Sequence, residues 1–190
     1  MKCDIVLAGV GGQGVLSLAA AIASGAMEEK LFVKQAEVHG MAQRGGAVMA
    51  TLRLSDREIA SDLIPRGTAS MILSMEPMEG LRYLAYLSLE GKLITSSNPV
   101  RNVPDYPDLD DLLSRIRALP GAIVVDAEKL ARQAGSARAT NMVMVGAAMP
   151  LLPIRVETIE NAVRTIFASK GDEIVNVNLR ALHAGRQAAQ

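Results

Sequence analysis

The sequence predicts an α/β fold, a mostly parallel sheet sandwiched by helices in a Rossmann-like three-layer arrangement, with a helical C-terminal third. Three observations carry this. Short apolar runs of strand length alternate with helical periodicities over residues 3–133. The first run passes through a glycine turn straight into a helix, the opening of a βαβ unit. From residue 141 onward strand patterns give way to three successive helical segments. At 190 residues the chain is expected to be a single domain, 1–190, with one large core.

Taken in order, residues 3–10 form a continuous apolar run ending in glycine, the pattern of a strand buried on both faces. Residues 14–29 carry a broad apolar face (Val15, Leu18, Ile22, Met27) rich in alanine, which suits a helix lying close on a sheet. Residues 31–37 read as a second strand, expected to pair in parallel with the first. Residues 47–54 are strand-like, and their alternation toward the end predicts a partly exposed face or a sheet edge. An irregular connection spans 55–68, and a strand spans 69–75. Pro77 opens a helix over 78–88 that Gly91 closes, and 92–97 form a further strand. Residues 98–108 are a proline-punctuated loop. A helix over 108–119 has acidic residues in its first turn, and 122–125 make a short strand. Asp126 caps a helix that runs to residue 133 and is closed by Gly135. Helices then span 141–152, 156–169 and 172–187.

Composition removes several function classes. Twenty basic residues balance twenty acidic ones and aromatic residues make up 3%, so neither the electrostatics nor the stacking groups of nucleic-acid binding are present. No apolar run reaches the ~18 residues of a membrane span, and the N-terminus starts directly into a strand pattern without a leader, so a cytoplasmic chain is expected. The single cysteine, Cys3, fits a reducing compartment and cannot supply the four ligands of an iron–sulfur cluster or zinc ribbon. No metal site is expected. The ten methionines read as core filler or as an adaptable contact surface for another subunit.

The candidate site lies in two glycine clusters. Gly9, Gly11 and Gly14 match the G-x-G-x-x-G dinucleotide fingerprint between a first strand and its helix, with Gly12 and Gln13 inside it. Glu37 falls about where a ribose-binding acid would sit. Taken alone, this cluster fits either a free-standing NAD(P)- or FAD-binding oxidoreductase domain or simple close packing of strand on helix. The second cluster, His39, Gly40, Met41, Gln43, Arg44, Gly45 and Gly46, has no counterpart in a plain dinucleotide domain. His39 can titrate near neutrality and Arg44 can clamp a carboxylate or phosphate; both can equally hold the loop or an interface together. His183 reads as a surface or capping residue. The sequence holds no P-loop, serine elbow, metalloprotease or kinase motif, and the catalytic residues stay unassigned.

Together, Gly-x-Gly-Gly-Gln-Gly at 9–14 and Glu-x-His-Gly-Met-x-Gln-Arg-Gly-Gly at 37–46 resemble the gamma-type subunit of 2-oxoacid:ferredoxin oxidoreductases. The pattern is most similar to the small beta subunit of the indolepyruvate branch. The resemblance implies a subunit of a heteromeric enzyme that decarboxylates a 2-oxoacid on thiamine diphosphate with Mg2+. Two electrons pass through [4Fe-4S] clusters to ferredoxin, and an acyl-CoA is released from coenzyme A. Those cofactors are expected on partner subunits, since this chain lacks the cysteines and the G-D-G…Asn pattern of a thiamine site. The partners implied are a large thiamine- and cluster-bearing subunit and ferredoxin, with self-association left open. A pure assembly module is a further alternative.

Overall fold

The computed structural model describes residues 1–39 and 45–190, with His39 described by its backbone alone. Its elements run β1 (Lys2–Val10), α1 (Val15–Glu28), β2 (Phe32–His39), β3 (Ala47–Ser55), β4 (Ala69–Ser74), α2 (Pro77–Arg82), β5 (Leu87–Ser96), α3 (Leu109–Arg117), β6 (Ile123–Val125), α4 (Ala127–Ala134), α5 (Thr140–Ala148), α6 (Val156–Phe167) and α7 (Asp172–Ala188). The six strands form one sheet in the order β2-β3-β1-β4-β5-β6. β1, β4, β5 and β6 pair in parallel, while β3 lies antiparallel to both neighbours.

This topology corrects one expectation. β1 and β2 point the same way but do not touch, because β3 sits between them. The reason is the length of the 40–46 connection. A parallel crossover needs roughly a dozen residues or more, so a shorter link returns the chain beside β2 as a hairpin. β3 then fills the gap that the α1 crossover left, and its alternation reflects a polar face rather than an edge. On that face Thr51 and Arg53 hold the irregular 56–68 segment through carbonyls of Asp62, Ser61 and Leu63. Arg53 also forks onto the buried Asp4 carboxylate at 2.9 and 3.1 Å, and Lys2 Nζ shares its Oδ2 at 2.9 Å.

A second correction concerns residues 78–91. The helix stops at Arg82, a single 3-10 turn follows over Leu84–Tyr86, and β5 begins at Leu87. Gly91 does not end a helix. It lies within β5, beside the register shift between Ala69 and Met71, where an added Cβ would stand 2.7 Å from the Ala69 carbonyl oxygen.

The sheet separates two cores, and strand alternation assigns each side chain to one of them. Ile5, Leu7, Leu52, Leu73 and Ile94 face α1 and the helices α4–α7, whereas Val6, Ile72 and Leu93 face α2, α3 and Ile64. In the helical layer α5 is buried along its whole length from residue 141, the sign of a helix surrounded by others. It meets α7 backbone to backbone. A Cβ on Gly146 would fall 1.9 Å from the Leu182 carbonyl oxygen, and one on Gly185 would fall 1.8 Å from that of Val143. Met71, Met75, Met142, Met144 and Met149 are all buried, which assigns these five to core filling. No helix among the described residues is long and apolar enough to cross a membrane.

Candidate functional site

In an open α/β sheet the ligand crevice lies beyond the carboxyl ends of the strands, where the chain switches direction of travel across the sheet. Here β1 leads through α1 to the β2 side, while β4 leads through α2 to β5 and on through α3 to β6. The switch point is therefore between β1 and β4, and the first glycine cluster lies at it.

Within that cluster Gly9 is the penultimate residue of β1 and packs on Gln13 and Val15. Gly12 and Gly14 take positive φ values of 102° and 81°, and Gly14 is the N-cap of α1. A side chain at either position would be strained, which explains glycine there without reference to any ligand. Gln13 is the clamp of the turn. Its Oε1 accepts from Val10 N–H at 2.8 Å and its Nε2 donates to the Met75 carbonyl at 3.1 Å, tying the ends of β1 and β4 together. The Gly11 N–H donates to the Gly46 carbonyl at 2.9 Å. One bond thus joins the two glycine clusters that the sequence separates.

Of the second cluster, Gly40, Met41, Gln43 and Arg44 lie outside the described residues. His39 pairs through its backbone register with Val48. Glu37 lies exposed on β2 opposite Ala50. With β3 between β2 and β1, Glu37 is displaced by one extra strand spacing, about 4.8 Å, from where a ribose acid sits beside its glycine loop. Three of the loop's own N–H groups, those of Val10, Gly11 and Gln13, are also already bonded within the chain. Both facts separate this arrangement from a dinucleotide cradle. Gly45 has a φ of 76°, and its carbonyl accepts from Asn102 Nδ2 at 2.6 Å.

Asn102 introduces a strap that the sequence did not flag. Residues 97–107 run across the carboxyl edge of the sheet and are held by Glu76, the fully buried N-cap of α2. Its carboxylate accepts from Glu79 N–H at 2.8 Å, from Val100 N–H at 3.4 Å and from the Tyr106 hydroxyl. Burial raises the Glu76 pKa above the ordinary glutamate value, and these hydrogen bonds oppose it only in part. The Tyr106 phenol is raised as well, first by its own burial and then by its bond to Glu76. Pro77 directly after Glu76 was the available signal, because the residue before a first-turn proline is the N-cap. Asn98 and Asn102 carried none, being single polar residues in a loop.

Between this strap, the glycine turn and α4 lies a cavity of about 270 Å³. Gln13 and Met75 form its floor, Ser96 and Asn98 one wall, and the Glu128–Arg132 ion pair (2.6 Å) its rim. Its polar groups largely satisfy one another. Asn98 Oδ1 accepts from Ser96 Oγ and Glu128 N–H, while Asn98 Nδ2 donates to Asp126, the N-cap of α4. Such a wall is preformed and rigid, suited to shape recognition rather than to proton transfer. Among the described residues no three His, Cys, Asp or Glu side chains converge as metal ligands. Cys3 is buried at the opposite end of β1, its thiol pushed up to about 11 by burial and then by Asp4. With Cys3 the single cysteine of the sequence, the four thiolates of a cysteine-held iron–sulfur cluster cannot come from this chain alone. His183, as expected, is at the surface, 3.5 Å from Glu160.

Comparison with known proteins places this geometry. Residues 4–188 match the family model described as pyruvate ferredoxin/flavodoxin oxidoreductase. The chain is 39% identical to indolepyruvate oxidoreductase subunit IorB of Archaeoglobus fulgidus, covering 97% of this chain and 94% of that one. It is 35% identical to the protein of the same name from Methanothermobacter thermautotrophicus, covering 100% and 98%. In fold it is similar to pyruvate oxidoreductase subunit PORC of Thermotoga maritima, with a TM-score of 0.76, 23% identity and coverage of 98% and 96%. It is also similar to part of the 2-oxoglutarate:ferredoxin oxidoreductase of Magnetococcus marinus, with a TM-score of 0.78 and 22% identity; there the match spans 99% of this chain and 31% of the longer one. The chain belongs to the pyruvate ferredoxin/flavodoxin oxidoreductase family and is a relative of the subunits of 2-oxoacid:ferredoxin oxidoreductases.

Proposed function

We propose that this chain is the non-catalytic small subunit of a heteromeric, thiamine-diphosphate-dependent 2-oxoacid:ferredoxin oxidoreductase acting on indolepyruvate or a related arylpyruvate. The observation that carries the proposal is the end-to-end match to relatives named as indolepyruvate oxidoreductase subunits. The site supports it. Gly11 of the first glycine cluster is bonded to Gly46 of the second, Asn102 of the strap is bonded to Gly45, and Gln13 of the first cluster lines the preformed crevice.

In this reading Gly9, Gly11, Gly12, Gln13, Gly14, Glu37, His39, Gly40, Met41, Gln43, Arg44, Gly45 and Gly46 face the large subunit and complete its active-site enclosure. Thiamine diphosphate, Mg2+, [4Fe-4S] clusters and coenzyme A are held by partner subunits, ferredoxin accepts the electrons, and the complex is cytoplasmic. The Magnetococcus enzyme, whose structure contains 2-oxoglutarate, coenzyme A and succinyl-CoA, lends support, because the same fold is one part of its longer chain.

The test is reconstitution. This chain is co-expressed with a thiamine-binding large subunit, and indolepyruvate oxidation is followed through ferredoxin reduction in the presence of coenzyme A. Turnover is expected only from the co-purified complex. Activity of this chain alone, or failure of the two to associate, overturns the proposal.

A further inference from the structure

A second cavity, of about 240 Å³, opens in the helical layer between the first turn of α1, the start of α5, the end of α6 and α7. It lies on the other side of the 3-10 turn Ala137–Ala139 from the crevice. Ala137 and Thr140 face the crevice, while Arg138 and Asn141 face this cavity.

Two asparagines in its wall are more than nine-tenths buried, with 9% of Asn141 and 6% of Asn178 exposed. Each uses one end of its amide inside the protein. Asn141 Oδ1 accepts from Met142 N–H at 3.0 Å, and Asn178 Nδ2 donates to the Ile174 carbonyl at 2.8 Å. Those bonds fix the orientation of both amides. The free ends, Asn141 Nδ2 and Asn178 Oδ1, have no hydrogen bond among the described residues, yet neither atom is sealed from solvent. Both residues line the cavity, with Asn141 Nδ2 beside Gly14, the N-cap of α1. The wall therefore presents one unused donor and one unused acceptor.

Charge and shape narrow what would use them. Arg138 and Lys170 bring two cations to the cavity, and no Asp or Glu lines it among the described residues. Neither cation has an ion pair among the described residues; the Lys170 ammonium stands 5.3 Å from the centroid of the Phe167 ring. Phe167 and Val177 supply an apolar side. A buried acceptor requires a donor on the ligand, whereas an ammonium would meet two cations with no carboxylate to pair with it.

We propose that this cavity binds a small organic anion that carries a neutral hydroxyl beside its acid group and an apolar body, of which a 2-hydroxy carboxylate is the simplest. The acid group faces Arg138 and Lys170, the hydroxyl donates to Asn178 Oδ1, Asn141 Nδ2 donates to a ligand oxygen, and the apolar body lies on Phe167. The volume, below the ~300 Å³ of typical drug-sized pockets, limits the ligand to a small metabolite.

The test titrates the full chain with 3-phenyllactate while the methyl resonances of Ile174 and Val177 are followed by NMR. Saturable shifts are expected at both. 3-Phenylpropionate, which lacks the hydroxyl, is expected to bind roughly fivefold more weakly, and phenylalanine, a zwitterion, more weakly still. The doubly substituted Arg138→Ala, Lys170→Ala chain alters exposed side chains and is expected to keep its fold by circular dichroism while losing at least about tenfold in affinity for phenyllactate. Asn178→Ala is expected to abolish the preference for phenyllactate over phenylpropionate. No saturable shift, equal binding of all three probes, or undiminished binding by the doubly substituted chain overturns the proposal. None of these outcomes bears on assembly with a large subunit, so the two proposals stand or fall separately.

Discussion

At the scale of single residues, Glu76 ties the most parts together. A buried carboxylate with a raised pKa favours its protonated form in the folded chain. Its contribution to stability is full below the unfolded-state pKa and is lost as pH rises through the folded-state value. Glu29 and Asp56, whose pKa values are lowered, act in the opposite sense. Comparison with Glu76→Gln isolates the effect: the stability of the native chain relative to this variant should fall as pH rises above the ordinary glutamate range. Urea unfolding across that range checks the sign. Gln13→Ala removes two bonds that tie together the ends of β1 and β4, and should cost about 1–3 kcal/mol by the same measurement. Cys3, buried and with its thiolate disfavoured, should resist alkylation in the folded chain and react on unfolding.

At the scale of elements, two contacts decide the helical layer. Gly185 lies against the Val143 carbonyl, so Gly185→Ala forces α5 and α7 apart. Alanine normally gains up to about 1 kcal/mol over glycine inside a helix. Here overpacking of about 1–3 kcal/mol or more outweighs that gain, and the variant should be less stable despite its better propensity. The N-cap of α6, Arg155, offers no side-chain cap, and Glu29 at the end of α1 supplies one from outside. It accepts from Arg155 N–H and Thr158 Oγ1 at 2.8 and 2.7 Å. Glu29→Ala should therefore cost about 1 kcal/mol, the loss typical of a removed cap.

The same scale shows what the sequence could and could not disclose. Strands at 3–10, 47–54, 69–75 and 122–125 and the three C-terminal helices were legible because burial imposes a period on apolar residues. Strand order was not, since it depends on which edge is free when each segment arrives. The 40–46 length was the overlooked clue, being too short for a crossover. Leu81, Leu84 and Leu87 mimic a helical stripe although β5 already begins at Leu87. In the site, the glycines were legible because backbone geometry demands them. Glu76 and Asn102 were not, because their importance comes from partners distant in sequence.

At the scale of the whole molecule, the larger core runs without interruption from β1 through α1 to α7. Val175, Val177, Leu179, Ala181 and Leu182 of α7 are buried in it, so the helical third is part of the same cooperative unit as the sheet. Unfolding should therefore be one transition, with far-ultraviolet circular dichroism and tyrosine absorbance superimposing. Two separated steps would show that the helical layer is an independent body. With acidic and basic residues in balance and a pI near 6.7, association with a partner depends on local surface fit more than on a long-range field.

The bond between Gly11 and Gly46 has a thermodynamic consequence for anything that approaches the first turn. A ligand oxygen that takes the Gly11 N–H must displace the Gly46 carbonyl, so the exchange is nearly neutral in hydrogen bonds and yields little affinity. What it transmits is larger than what it gains. Gly46 directly precedes β3, and Gly45 is held by Asn102, so releasing that carbonyl loosens the hairpin and the strap together. Occupancy of one loop and the conformation of the other are linked, and linkage is reciprocal: a partner that fixes the hairpin changes the affinity of the turn by the same factor that a ligand on the turn changes the affinity for the partner.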